Sequence, residues 1–136
     1  MKGKIVLTAS AVLLVTLGVV LNFMPQEAAA ALGIATAPAT TALTQVLASA
    51  LLGMGFINWF SRANRIGGIY ARPLALGNFL LFGSSALSLA RTFSAHHDAT
   101  IIGIAAAIFA VLALAFCWLI FFADPLADQS KPRARD

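Results

Sequence analysis

Charged side chains are scarce in this chain. Only 10% of its 136 residues are Asp, Glu, Lys or Arg, whereas an ordinary soluble domain carries about 25%. So few charges cannot cover the surface of a soluble globule of this size, and they also exclude intrinsic disorder, which needs high charge and low hydrophobicity. The single cysteine, Cys117, excludes a disulfide-stapled scaffold. The class that remains is an integral membrane protein.

Apolar sequence is what the chain has in abundance. Hydrophobic residues make up 60% of it, and the mean hydropathy is +0.90. A helix needs about 20 apolar residues to cross a hydrocarbon core about 30 Å thick. Four runs meet this requirement, at about 5–23, 41–60, 73–90 and 100–122, and none contains Asp, Glu, Lys, Arg or His. They lack the alternation of barrel strands, so we predict one all-α domain, an antiparallel four-helix transmembrane bundle, followed by a flexible tail at 123–136.

Positive charge is divided unevenly between the two ends of such a bundle. Arg91 falls at one end, whereas the other end holds Lys2, Lys4, Arg62, Arg65, Arg72, Lys131, Arg133 and Arg135. Because short loops rich in Lys and Arg stay in the cytoplasm, we predict that both termini are cytoplasmic in a multi-pass protein of the cell (inner) membrane. Trp59 and Trp118 fall near the basic end, as expected for rings that favour the headgroup layer.

The first apolar run has a competing interpretation as a cleaved signal peptide. Basic residues precede it, and small residues follow it at 28–31. However, a signal peptide has an apolar region of about 7–15 residues, and this run is longer. We therefore expect a retained span, with a cleaved signal and three remaining helices as the alternative. Beyond the run, Pro25 and Gly33 predict the start and the end of a short helix in the longest outer loop.

Small residues recur at helical spacing in each apolar run. Lipid tails are as apolar as leucine, so helices in a membrane associate through close packing of small residues and through polar contacts. We therefore predict helix packing at Gly18, Ser49, Gly53, Gly103 and Ala110. In the second run, the predicted contact stripe combines Gln45 with Ser49 and Gly53.

Two asparagines, Asn58 and Asn78, lie inside the uncharged runs. Both fall near the basic end of their helices, and antiparallel packing brings them to a similar depth, where they can form a hydrogen bond across the second and third spans. In one interpretation they are packing elements, since such a contact averages about 0.6 kcal/mol in a membrane. In the other, they line a polar pocket beneath the basic loop that joins the two spans.

That loop is the most basic connection of the chain. Arginine binds phosphate through a bidentate fork, and a basic group at this depth attracts anionic lipid by about 1 kcal/mol. The candidate lipid- or anion-binding residues are Arg62, Arg65, Arg72, Asn58, Tyr70 and Asn78. The simpler interpretation is that the arginines only set the topology of the chain.

Signals for catalysis and for cofactors are weak. No span holds a charge for an ion path or a histidine for haem. His96, His97 and Asp98 adjoin in the second outer loop, but a tetrahedral metal site needs further ligands. Cys117 lies among apolar neighbours, where a thiol is inert. We therefore expect no enzyme, no metal, no cofactor and no nucleic-acid partner.

The sequence around the basic loop resembles a recurring pattern in an uncharacterised family of small bacterial four-span membrane proteins. The pattern combines Asn-Trp-x-x-Arg at 58–62, Gly-Gly-Ile-Tyr-x-Arg-Pro at 67–73 and Gly-Asn at 77–78. This resemblance implies no activity. It implies a single structural unit between the second and third helices, made of Asn58, Trp59, Arg62, Gly67, Gly68, Tyr70, Arg72, Pro73 and Asn78.

These observations favour a non-enzymatic membrane component, structural or accessory, that binds a partner protein, a second copy of itself or lipid. The alternative is a small transporter or channel for a neutral or amphipathic solute. A dry, close-packed interior favours the binding component. Transport instead needs a water-filled path, whose predicted lining is Gln45, Asn58, Asn78 and Ser85.

Overall fold

The described part of the chain folds into five helices. The computed structural model describes residues 2–62, 71–95 and 100–122, and no strand occurs among them. The helices are α1 (Lys2–Phe23), α2 (Pro25–Ala31), α3 (Pro38–Ser61), α4 (Ala71–Ala95) and α5 (Thr100–Phe122). All except α2 are long and apolar enough to cross a membrane. The predicted all-α transmembrane bundle is confirmed, and the chain is a multi-pass integral membrane protein.

The helix ends follow local chemistry more than they follow hydropathy. Helix α3 starts at Pro38, before its apolar run, because proline suits the first turn of a helix. Helix α4 continues through Arg91 to Ala95, beyond the predicted end of its span. The short helix α2 starts at Pro25 as predicted, and the chain leaves it through Gly33, whose φ of 68° favours glycine. The predicted tail at 123–136 lies outside the described residues.

Helices α1 and α3 form a close antiparallel pair. A Cβ atom on Gly18 of α1 would lie 3.0 Å from the carbonyl oxygen of Ala48 in α3. In the same way, a Cβ atom on Gly55 of α3 would lie 2.8 Å from Cγ2 of Val15 in α1. Because neither position has room for a side chain, the glycines allow the two backbones to approach. Gly18 meets Ala48 and Val15 meets Gly55, so the residue number rises along α3 as it falls along α1, and the pair is antiparallel.

Helices α4 and α5 form the second pair. Near the end of α4 and the start of α5, a Cβ atom on Gly103 would lie 2.9 Å from the ring of Phe93. Nearer the centre, the fully buried ring of Phe82 meets Phe109 edge-on at 5.4 Å and stacks on Phe116 at 5.9 Å between ring centroids. These aromatic contacts fill the middle of the bundle.

The two pairs join around one core to which every long helix contributes. Its buried residues are Leu7, Leu14, Leu51, Ala75, Phe82, Ala113, Phe116 and Leu119. Helix α1 packs against α5. By contrast, no Cα atom in the described part of α3 lies within 8 Å of one in α4. Side chains must therefore bridge α3 and α4.

The predicted packing stripe of α3 does not pack against the other helices of the bundle. Gln45, Ser49 and Gly53 are all exposed, and nothing lies within 4 Å of the position that a Cβ atom on Gly53 would take. The buried residues of α3 are instead Ala48, Leu51, Gly55 and Asn58. Small residues occur on two faces of this apolar helix, so their spacing alone does not identify the face that packs. Of the other predicted packing positions, Gly18 and Gly103 lie in the helix contacts described above, and Ala110 is half-buried.

Candidate functional site

Three fully buried polar side chains meet in the interior of the bundle. Ser10 lies on α1, Asn58 on α3 and Asn78 on α4, and all three have no exposed surface. We call these three side chains the polar junction. Buried polar groups in an apolar interior require hydrogen-bond partners, so the bonds of the junction decide what it can do.

The two asparagines form a reciprocal amide pair. Nδ2 of Asn58 donates to Oδ1 of Asn78 at 2.7 Å, and Nδ2 of Asn78 donates to Oδ1 of Asn58 at 2.8 Å. The remaining hydrogen of Asn58 goes to Oγ of Ser10 at 3.0 Å, and that of Asn78 goes to the carbonyl of Leu74 at 3.0 Å. Ser10 in turn donates to the carbonyl of Leu7 at 3.0 Å. Every N–H and O–H of the junction is therefore used.

This arrangement links helices and leaves no hydrogen-bond donor of the junction free for a ligand. The side chains are neutral, so the junction cannot hold a charge or relay a proton through a titratable group. The predicted hydrogen bond between Asn58 and Asn78 is confirmed, and it links α3 to α4 where the backbones stay apart. Ser10 was not predicted to take part. Its sequence signal is the helical spacing that places it on one face of α1 with Leu7, Ala11 and Leu14, which are also buried.

The expectation that the asparagines contact lipid headgroups or anions is wrong. Asn58 and Asn78 lie inside the bundle, and their amides have no free donor. The other candidates lie elsewhere, with Arg72 exposed at the start of α4 and Arg62 half-buried at the end of α3. Arg65 and Tyr70 fall outside the described residues.

Arg62 packs on the aromatic ring of Trp59, one turn earlier in α3. Its guanidinium carbon lies 3.2 Å from the ring centroid, which is a cation–π contact. Nη1 of Arg62 is buried and has no hydrogen-bond partner among the described residues. A buried donor without an acceptor is unfavourable by about 1–3 kcal/mol, and by more when it is charged, so this guanidinium is suited to an external acceptor.

A groove follows α1 on the lipid-facing side of the bundle. One part, of about 280 Å³, lies between α1 and α3 and is lined by Ala11, Val12, Val15, Thr16, Phe56 and Trp59. Val12 and Thr16 also line a second, more open part of about 640 Å³, whose described lining lies on α1 and continues to Lys4. We call both parts together the α1 groove. It is apolar along most of its length and basic at one end.

The described part of the chain offers few side chains that could bind a metal or take part in redox chemistry. There, no three side chains of His, Cys, Asp or Glu lie close enough together to hold a metal ion. His96, His97 and Asp98 fall outside it. Cys117 is a half-buried free thiol in α5. Comparisons with protein-family models, curated proteins and solved structures find no match to this chain.

Proposed function

We propose that this integral membrane protein is a non-enzymatic component of its membrane, structural or accessory, that binds a partner membrane protein, a second copy of itself or lipid. The observation that supports this best is the closed polar junction. Asn58, Asn78 and Ser10 satisfy one another in the interior, so a partner has to bind on the outer surface.

Transport is the alternative, and it requires a polar path that water can enter. Of the side chains expected to line such a path, Asn58 and Asn78 are fully buried with their donors used. Gln45 lies exposed on the outside of the bundle, and Ser85 is half-buried. These positions do not share one channel, which favours the binding component over a small transporter or channel.

The outer face of α3 is where we propose that a partner helix packs. Gln45, Ser49 and Gly53 lie exposed there, one turn apart along a membrane-spanning helix. The hydroxyl of Ser49 donates to the carbonyl of Gln45 at 2.9 Å, so this face is smooth and its polar groups are largely satisfied. Small residues gain little from facing lipid, but they allow two helix backbones to pack closely. This face therefore fits a helix of a partner protein or of a second copy.

Oxidative cross-linking in native membranes tests this face. Ser49→Cys, made in a Cys117→Ala background, is expected to give a disulfide-linked product on mild oxidation. A product of twice the 14.2 kDa chain mass indicates self-association, and a product of another mass indicates a partner. The matched control is Ala107→Cys, an exposed small residue on α5, which is expected to stay monomeric. If neither variant cross-links, self-association through the outer face of α3 is contradicted, and solute flux in liposomes would then favour the transporter.

The orientation of the bundle is a proposal of the same kind. Lys4, Arg62 and Arg72 share one end of the bundle, which we call the basic end, and Arg91 lies toward the other. By the positive-inside rule, the basic end and both termini face the cytoplasm of a bacterial cell, across its inner membrane. A tag inserted at 63–70 is then inaccessible from outside intact cells, and labelling from outside would overturn this orientation. The resemblance to uncharacterised small bacterial four-span proteins stays a prediction.

A further inference from the structure

We propose that Arg62 and the α1 groove bind one phospholipid with an anionic headgroup. In this site the phosphate lies at Arg62 and Lys4, and an acyl chain lies along the groove. The site rests on the lipid part of the proposed function, but it does not depend on assembly through the outer face of α3, which is a different surface.

Arg62 supplies the strongest argument for an anion. Its guanidinium carbon lies over the Trp59 ring, so the cation is held against the indole before a ligand arrives. Nη1 is buried and lacks an acceptor among the described residues. Phosphate oxygens match the guanidinium fork and form short, charge-assisted hydrogen bonds with it. A phosphate at this position therefore pairs with a donor that the described residues leave without an acceptor.

Lys4 adds a second cation at the same depth. Asn58 donates a hydrogen bond to Ser10, so these residues of α3 and α1 lie at the same depth along the bundle. Because the two helices are antiparallel, Arg62 lies one turn closer to the basic end, beside the first turns of α1 where Lys4 begins the groove. The sole carboxylate side chain in the described residues is Glu27, in α2 at the opposite end of the bundle. The described residues thus offer these two cations no anion at their own end.

The groove explains why the anion should belong to a lipid. From Lys4 to Thr16 the groove extends about 18 Å at about 1.5 Å per residue. That length is close to the half-thickness of a hydrocarbon core about 30 Å thick, so one acyl chain of a single leaflet fits it. Val12, Val15 and Phe56 make its wall apolar below the cationic end. A free phosphate ion would leave this wall unused, whereas an anionic lipid matches both parts.

Competition between two lipids tests the site. We would incubate the purified full chain in mild detergent with equal amounts of phosphatidylglycerol and phosphatidylcholine that carry the same acyl chains, and measure retained lipid by native mass spectrometry. The wild-type chain is expected to retain phosphatidylglycerol preferentially. Arg62→Gln is expected to weaken that retention about fivefold or more, the equivalent of one lost cation–lipid contact, and Arg62→Lys is expected to fall between the two. Thr16→Phe fills the groove without changing charge and is also expected to reduce retention.

The matched control is Arg72→Gln, which removes the same charge at the same end from an exposed side chain at the start of α4. Arg62, by contrast, lies on Trp59, which lines the groove. Retention by Arg72→Gln is expected to equal that of the wild type. An equal loss in Arg72→Gln and Arg62→Gln would overturn the site, because it would indicate general attraction by the basic end. Unchanged retention in both Arg62→Gln and Thr16→Phe would overturn it too and leave Arg62 with topology alone. Displacement of the lipid by inorganic phosphate would contradict the role of the groove.

Two further measurements separate the possible failures. Thermal unfolding in detergent identifies variants that are not folded, and Thr16→Phe replaces an exposed residue, so it still tests the site if Arg62→Gln is unstable. Cross-linking of Ser49→Cys does not involve the groove. If lipid preference is absent while that cross-link persists, the lipid site is wrong and the binding function of the outer face of α3 stands.

Discussion

Replacing one asparagine of the polar junction should destabilise the bundle strongly, and replacing both should cost much less than the sum of the two single replacements. Asn58→Leu breaks two hydrogen bonds to Asn78 and one to Ser10. At about 0.6 kcal/mol for each bond in a membrane, this loss is about 2 kcal/mol. It also leaves the Asn78 amide buried without its main partner, which adds about 1–3 kcal/mol. The expected loss of unfolding free energy is therefore about 3–5 kcal/mol, and Asn78→Leu should behave similarly.

The double variant Asn58→Leu with Asn78→Leu leaves no amide unpaired. Ser10 keeps its own acceptor, the carbonyl of Leu7, and leucines can pack where the amides met. Removing both partners of a buried polar pair is often close to neutral, so the double variant should lose much less than the sum of the single variants. We expect a coupling free energy of at least about 1 kcal/mol, the value of the two shared hydrogen bonds.

The assay is reversible unfolding in mixed micelles, in which a denaturing detergent is added stepwise to a mild one and helix content is followed by circular dichroism. All four chains of the cycle are measured under one condition. If the two single effects add to the double effect within about 0.3–0.5 kcal/mol, the side chains are independent and the reasoning is refuted. Ser10→Ala is the internal comparison. It removes the acceptor of one Asn58 N–H and the serine's own bond to the Leu7 carbonyl, and it should lose about 1 kcal/mol or more but less than either asparagine variant.

The packing of the helices gives two further predictions, which thermal unfolding in detergent can measure. Gly55→Ala places a Cβ atom 2.8 Å from Val15 and should destabilise the bundle by about 1–3 kcal/mol. Gly53→Ala, two residues away, meets nothing within 4 Å and should cause no loss of stability, since alanine favours helix over glycine by about 1 kcal/mol. Equal destabilisation by the two variants would contradict the contact between α1 and α3. Phe82→Ala empties a fully buried position between two aromatic rings and should remove about 3–5 kcal/mol, whereas a loss below about 1 kcal/mol would place the ring outside the core.

The architecture could be predicted from sequence because the hydrocarbon core imposes a simple rule. A run long enough to span and free of charge has to be helical, since no water is present to satisfy its backbone. The bounds of α2 could be predicted equally well, because Pro25 starts this helix and Gly33 follows its end. The actual ends of α3 and α4 were less readable, because a helix can continue past the edge of its apolar run, as α4 does through Arg91.

The packing face of α3 could not be identified from small residues alone. Gly53 and Gly55 are only two positions apart but lie on different sides of the helix, and both fit a small-residue stripe. Asn58 is the residue that identifies the packing face. A buried amide needs a partner, so the face that carries Asn58 must turn inward, and Ala48 and Gly55 share that face. Asn58 is therefore a better guide to the orientation of α3 than the glycines of that helix are.

The candidate lipid site was only partly accessible to sequence reasoning. Arg62 could be recognised as a basic residue at a membrane boundary, and the same reasoning grouped it with Asn58 and Asn78 because all three fall near the basic end of the predicted spans. Periodicity does not reveal that one side chain turns into the bundle while another folds back on Trp59. The groove likewise depends on how α1 and α3 meet, which requires their contact geometry.

Water access to the polar junction is measured most directly by hydrogen exchange of the asparagine side-chain amides. In the isotope-labelled protein reconstituted in lipid and transferred to deuterated water, the amide signals of Asn58 and Asn78 should persist and show cross-peaks to each other. The half-buried Asn22, near the end of α1, is the control and should exchange quickly. If the amides of Asn58 and Asn78 exchange as fast as that of Asn22, water reaches the interior, and a closed bundle that binds its partners on the outer surface is contradicted.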